Sequence, residues 1–411
     1  MSASTAAGKD EQFPPSRDTS HPFDPPAQAR AWQGQQGMHR VRQWDGLEAW
    51  VATRYADART VLTDDRFSAD PSRPGFPEKS AAYKATVGQD RNIRTLDNPE
   101  HDVQKRMLSR DFTVKRVEEM RPAIQGKVDG LIDAMLEKGP PADIVKDLAF
   151  PVPTMVICEL LGVPYGDREF FGERSYICLS SDGSPEEAAA AGKDLTDYID
   201  RLIDIKDKNP ENDLVSRLAV EQLRAKHLSR KEIIDMARII LIAGHETTAN
   251  MIGLSVLALL QNPDQLADMK GAAATPAFLS NAVDELLRYL SVAHTGRRRV
   301  AIADVEVGGQ LVRAGEGVIV MNSVADRDES VFPEADRLNL RRTNARATMA
   351  FGYGIHQCIG QILSRVELQI VHRTLWQRIP SLQLAVPFKD IQFNPNTSVY
   401  GIRSLPVTWK S

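Results

Sequence analysis

Near the C-terminal end the chain reads Phe351-Gly352-Tyr353-Gly354-Ile355-His356-Gln357-Cys358-Ile359-Gly360, a single cysteine set between a glycine-punctuated turn and a helical pattern. Beyond it, apolar residues fall at Ile359, Ile362, Leu363, Val366 and Ile370, the spacing of one helix face, and the run ends before Pro380. Cys358 is therefore expected at a helix start, where unpaired N–H groups carry partial positive charge and favour a thiolate. Gly352 and Gly354 would let the backbone pass close under a flat cofactor, and Phe351 would shield the sulfur from water. A zinc site needs more Cys or His ligands at short spacing, and Cys158 and Cys178 are far away in sequence. A dinucleotide fingerprint needs a third glycine where Gln357 stands. A plain buried cysteine leaves the glycines, the aromatic and the histidine unexplained.

A second constellation interrupts the longest apolar pattern, Arg230–Gln261, with Ala243-Gly244-His245-Glu246-Thr247-Thr248. Charged and hydroxyl residues in the middle of a buried helix need a reason. Ala243 and Thr247 share a face, Gly244 removes a side chain so that a cofactor can approach, and Thr247 can bend the helix by bonding back to a carbonyl. Glu246 beside Thr247 supplies an ionisable group and an oriented hydroxyl, the parts needed to pass protons to dioxygen. The plainer alternative is a solvated glutamate on an amphipathic helix with a glycine bend.

Together these stretches resemble the cytochrome P-450 superfamily. Its haem signature, Phe-Gly-x-Gly-x-His/Arg-x-Cys-x-Gly, has every fixed position present here, and its oxygen-activation motif, Ala/Gly-Gly-x-Asp/Glu-Thr-Thr/Ser, matches position for position. The resemblance implies haem b with Cys358 as the axial iron ligand, donating electron density that favours O–O cleavage. It places Phe351, Gly352, Gly360, Ala243 and Gly244 against the haem, and gives Glu246 and Thr247 the catalytic proton work. His356, Arg299 and His101 are the implied propionate partners, with Lys105 standing where relatives carry an arginine. Lysine neutralises a carboxylate but cannot grip it as a fork. Glu285-Leu-Leu-Arg288 matches the family's bracing pair; Arg337 is the candidate for its later arginine and Arg342 the rival.

The implied fold is mainly α with a minor β region, the haem lying between the long central helix and the cysteine loop. The pattern agrees: helical periods run at Glu100–Ser109, Val114–Leu136, Thr154–Leu161, Glu169–Leu179, Pro185–Lys206, Asp213–Val220, Arg230–Gln261, Pro263–Lys270 and Ala277–Leu290. Alternating segments near Val41–Gln43, Trp50–Thr53 and after Arg297 read as short strands, and the Pro-rich stretch from Asp70 begins a long loop. The chain has 411 residues, 42% of them apolar, with a net charge of −4 and no internal linker or repeat, so one catalytic domain is expected over 19–411, after a disordered arm at 1–18. Scattered cysteines, and no visible signal peptide or membrane anchor, point to the cytoplasm and resemble the soluble bacterial members. Nucleic acid and membrane are not expected partners, and a monomer is the simplest state.

By resemblance the pocket is lined from Phe76–Ile93, Phe170–Leu179, Ile239–Thr247, Val292–Thr295 and Thr397–Val399, with Arg73, Arg297 and Arg298 able to favour an acidic substrate. Lys105, Arg106, Arg110, Lys115 and Arg116 would form a docking face for an acidic ferredoxin served by its reductase, carrying electrons from NAD(P)H. The leading expectation is a monooxygenase that inserts one atom of O2 into a small organic substrate, by hydroxylation or epoxidation. Two alternatives stand beside it: a nitric-oxide-reductase-like enzyme fed directly by NAD(P)H, and a haem-binding sensor without turnover. Glu246 favours oxygen chemistry over both.

Overall fold

In the computed structural model, which describes residues 13–15, 17–85, 91–179, 184–271, 275–395 and 399–410, the long apolar pattern is a single helix, Arg230–Gln261. Its start is set by a capping box: the Ser229 side chain accepts from the Glu232 N–H while the Glu232 carboxylate accepts from the Ser229 N–H at 2.7 Å. The helix is apolar nearly all round because it is buried nearly all round. It passes between helices Pro151–Leu161, Pro185–Lys208, Pro276–Leu290 and Gln361–Arg378. By length and composition alone it could span a membrane, but 78% of its most apolar window is buried inside the molecule, as in a core helix.

The helical periods read from the sequence all form helices, with ends shifted by a few residues. The segment after Asp213 changes character: four residues of α-helix, Leu214–Arg217, run into a wider π turn over Leu218–Leu223. The loop after Asp70 contains one short helix, Ala81–Ala85. Five short strands form the main sheet in the order His39–Arg42, Glu48–Ala52, Gly317–Val320, Arg297–Ala301, Phe67–Ser68. Arg297–Ala301 runs antiparallel to Gly317–Val320 with Arg298 opposite Ile319 and Arg299 opposite Val318. That register lays three consecutive arginines along one edge of the cavity described below.

The expectation of disorder over 1–18 is corrected for its described part. Phe13 is buried against Ala29 and Trp32, and Arg17 is 4% exposed, its guanidinium stacked over the Tyr400 ring at 4.0 Å. An aromatic and a planar cation give this Pro-rich stretch enough to bury. Residues 1–12 and 16 lie outside the described residues.

Candidate active site

Glu285 and Arg288 occupy neighbouring turns of helix Pro276–Leu290 and are fully buried, so each must be paired. Arg288 grips the carboxylate as a fork, Nε to Oε2 at 2.7 Å and Nη2 to Oε1 at 2.9 Å. The third member is Arg342, whose Nε lies 3.1 and 3.0 Å from the two Glu285 oxygens and which is 6% exposed. Arg337, the first candidate, is corrected: its side chain is 67% exposed and pairs with Glu334, and only its carbonyl enters the network, accepting from Arg288 and Arg342. Asp284, next door, holds Arg365 at 2.7 Å, and Arg365 lies over the Phe351 ring at 4.5 Å. The segment leading into the cysteine loop is pinned by Asp326, which accepts from the Met349 N–H at 2.7 Å and the Thr348 hydroxyl at 2.9 Å. Three buried acids thus hold the loop from outside.

The loop itself turns through Gly352 and Gly354, both at positive φ (77° and 71°). Apart from any service to a flat cofactor, each answers a close contact within the chain. A Cβ on Gly352 would lie 2.8 Å from Arg297 Nε, and one on Gly354 would lie 2.1 Å from the Leu62 carbonyl oxygen. Gly352 leaves room for a guanidinium, and Gly354 lets the loop seat on helix Tyr55–Thr63. Gly244 follows the same logic: its missing Cβ would meet Ile157 Cδ1 at 2.8 Å, so its absence lets helix Pro151–Leu161 pack close. Cys358 stands just before the helix Gln361–Arg378, whose N-cap is Gly360. The Gly360 N–H, Arg297 and Arg365 draw the thiol toward ionisation, yet burial outweighs them and pushes it above its ordinary range. The expected electropositive setting is present; deprotonation is left to a bound metal.

A cavity of about 370 Å³ separates this loop from the central helix. Ala243, Gly244 and Thr247 line it from the helix, Phe351, Cys358 and Gly360 from the loop, and His101, Arg299 and His356 also face it. The Thr247 hydroxyl donates to the Ala243 carbonyl at 2.8 Å, the back-bond read from the spacing. Glu246 does not line the cavity; it is 6% exposed behind Thr247, Oε2 has no partner, and burial raises its pKa to about 8. Lys105 is also outside the lining, its amine donating to the Ile355 carbonyl. Of the expected pocket segments, Phe170–Leu179 and Val399 are not in the wall, and Thr397 lies outside the described residues.

Among the described residues no group of three or more His, Cys, Asp or Glu could hold a bare metal ion. A metal bound through Cys358 must therefore bring its other ligands with it, as a porphyrin does. The donors agree with such a guest. His101 Nε2 and Arg297 Nε are buried without hydrogen-bond partners, and burial lowers the pKa of Arg297 and of Arg299, the latter to about 10. Uncompensated buried cations cost several kcal/mol, and two guanidiniums match the two propionates of a haem. His356 packs on His101 with ring centroids 4.4 Å apart, donates from Nδ1 to the Ile93 carbonyl at 3.2 Å, and stays neutral, its pKa pushed down by burial to about 2.

Sequence reading missed Asp284, Arg365 and Asp326, whose partners are distant in the chain, and it missed Ser364 and Glu367 in the cavity wall, whereas Lys79 falls within the expected segment Phe76–Ile93. Only Arg365 left a local signal, lying with Cys358 and Phe351 in one short stretch.

Residues 274–402 match the family model described as Cytochrome P450. Over 396 residues the chain is 46% identical to Cytochrome P450-SU2 of Streptomyces griseolus, covering 96% of each, and over 372 residues it is 45% identical to a Vitamin D3 dihydroxylase of the same organism, covering 90% of each. The crystal structure of GfsF superposes with a TM-score of 0.91 at 44% identity, covering 97% of this chain and 100% of that one. The chain belongs to the cytochrome P450 family, whose cofactor is haem, and is a P450 monooxygenase. The sensor alternative is thereby set aside.

Proposed function

We propose that this enzyme hydroxylates or epoxidises a small organic substrate inside the cavity, taking electrons from an external ferredoxin and its reductase. The observation that carries the reading is one cavity with the Cys358 sulfur on one wall and the Ala243–Thr247 turn on the other. Cys358 would hold the haem, with Arg297, Arg299, His101 and His356 toward its propionates, and the bound haem supplies O2 reduction and oxygen insertion.

The chain's own residues handle water and protons. Ile157, Ile240 and Phe351 make the wall apolar and exclude bulk water. The Thr247 hydroxyl spends its proton on Ala243, so its oxygen is left to accept a hydrogen bond from the cavity side. Turning that hydroxyl inward opens only a side-chain i to i−4 back-bond, so the donor can be released without unfolding the helix. Behind it Glu246 carries a proton at neutral pH, since its pKa lies near 8, and can give it up to a neighbour of matched basicity. The Vitamin D3 dihydroxylase among the relatives supports hydroxylation as the outcome.

On the docking face, Arg110 pairs with Glu221 and Arg116 with Glu119, and Lys105 is committed to Ile355. Arg106 and Lys115 are exposed on the same stretch and remain available to an acidic partner. We place the enzyme in the cytoplasm, a reading supported by its bacterial relatives and by the burial of its long apolar helix inside the molecule. Product formation from NADPH only when ferredoxin and reductase are both present tests the reading. Consumption of NADH with nitric oxide and no partner protein would replace it with the reductase alternative, to which the arginines on the cavity wall lend support.

A further inference from the structure

The cavity holds more positive charge than two propionates account for. Arg297 and Arg299 lie at the same face of their strand and match the two carboxylates of a haem. Arg298, between them, points the other way, to a cluster on the loop after Phe76. It is 7% exposed; its Nη1 donates to the Thr295 and Gly296 carbonyls at 3.0 and 3.1 Å, which fixes the guanidinium, while Nε is buried with no partner. Lys79, also in the wall, has its amine 4.7 Å from the Tyr83 ring centroid, and Arg94 covers that ring at 5.5 Å. Lys79 forms no ion pair among the described residues. The nearby acid is Glu78, which is buried, lines a separate pocket under the loop and is pushed toward its neutral form by burial. Lys79 is meanwhile pushed well below its ordinary range by burial and by Arg298, Arg94 and Arg297. Cations held this close together are costly. The rest of the wall beside them, Phe76, Ile239, Val292 and Ala293, is apolar.

We infer that Lys79 and Arg298 form an anion-binding subsite inside the cavity, so that the substrate is an apolar molecule bearing a carboxylate, bound with its acid group at this subsite and its apolar body toward Cys358. The inference rests on the oxygenase reading. A guanidinium already fixed on one side by two carbonyls presents its remaining N–H groups without further loss of freedom, and an ammonium beside it completes the charge. Bound substrate would also relieve the repulsion between the two cations.

The test uses the haem-loaded enzyme, with haem content and the reduced carbonyl spectrum recorded first. Absence of haem at that stage overturns the oxygenase reading itself, not the subsite. Dodecanoate and dehydroabietate are then titrated against their methyl esters, following both the haem absorption shift and the heat of binding. The acids should bind about tenfold or more tighter than their esters at neutral pH. Arg298→Gln and, separately, Lys79→Gln should each erase most of that ratio; Arg73, expected from the sequence to favour an acid, pairs instead with Asp97 at 3.6 Å outside the cavity wall, so Arg73→Gln should leave the ratio intact. Equal affinity for acid and ester, no binding of either acid, or a ratio that survives both substitutions would overturn the subsite. So would NADH displacing dodecanoate with an affinity that falls in the same two variants, since the cations would then serve a dinucleotide phosphate.

Discussion

Among the described residues Glu246 meets no counter-charge, and burial alone fixes its protonation. An exposed glutamate ionises near 4.5, whereas this one holds its proton to about 8. Below the lower value both folded and unfolded chains are protonated and the group is neutral in the balance. Between the two values the unfolded chain releases a proton that the folded chain keeps, so stability falls as pH rises, and levels off above 8. Glu246→Gln should therefore melt close to the parent near pH 5 and clearly above it near pH 9; a gap that stays constant across thermal melts at both values would contradict the burial account. The same substitution should slow coupled product formation while haem content is unchanged. Thr247→Ala removes one hydroxyl and its bond to Ala243, worth on the order of 1 kcal/mol. Folding should survive, and the yield of product per NADPH should drop. At this scale the two short motifs led to the cavity wall, where Cys358 and Thr247 stand, with Glu246 buried behind it. The sequence was a poor guide to Lys105, whose amine is captured by a carbonyl that no nearby residue announces.

Elements fix what residues alone leave open. The Glu-x-x-Arg spacing puts Glu285 and Arg288 on one helix face, but the arginine that completes the group arrives from an irregular segment with no periodicity to follow. Arg342 reaches the carboxylate because the chain turns back beneath the helix, where it also binds the Pro333 and Glu334 carbonyls at 2.6 and 3.0 Å. Arg342→Ala leaves Glu285 buried with only Arg288 and the Asn339 N–H as partners, at a cost of about 3–5 kcal/mol, and should weaken haem retention. Arg337→Ala should change stability by less than about 0.5 kcal/mol. Chemical denaturation of the two variants, with haem loss followed by absorption, separates them; equal costs would return the bracing role to Arg337. The glycines teach the same lesson. Gly354 was legible as a turn residue, yet its reason is the Leu62 carbonyl on a helix from the other end of the chain. Gly354→Ala should destabilise the loop even though its position carries no catalytic atom.

Across the whole molecule, helices long enough to show several turns of pattern were legible to within a few residues. Strand order was not, since Glu48–Ala52 pairs in parallel with Gly317–Val320 from the far end of the sequence. The cavity was legible as a meeting of two motifs with arginines beside it, but the way Lys79 and the three strand arginines come together depends on that sheet and its neighbouring loop. The same integration bears on electron supply. Reversing Arg106 and Lys115 together to glutamate should lower the ferredoxin-driven rate and flatten its dependence on salt, while binding of small molecules in the cavity is unaffected. A rate and a salt response equal to the parent's would move the docking face elsewhere. The bond from Cys358 to iron underlies all of this, and the absorption spectrum of the reduced protein under carbon monoxide reads it most directly. The parent should give the strongly red-shifted carbonyl band of thiolate ligation and Cys358→His should lose it; a parent without that band, or a variant that keeps it, would contradict the account.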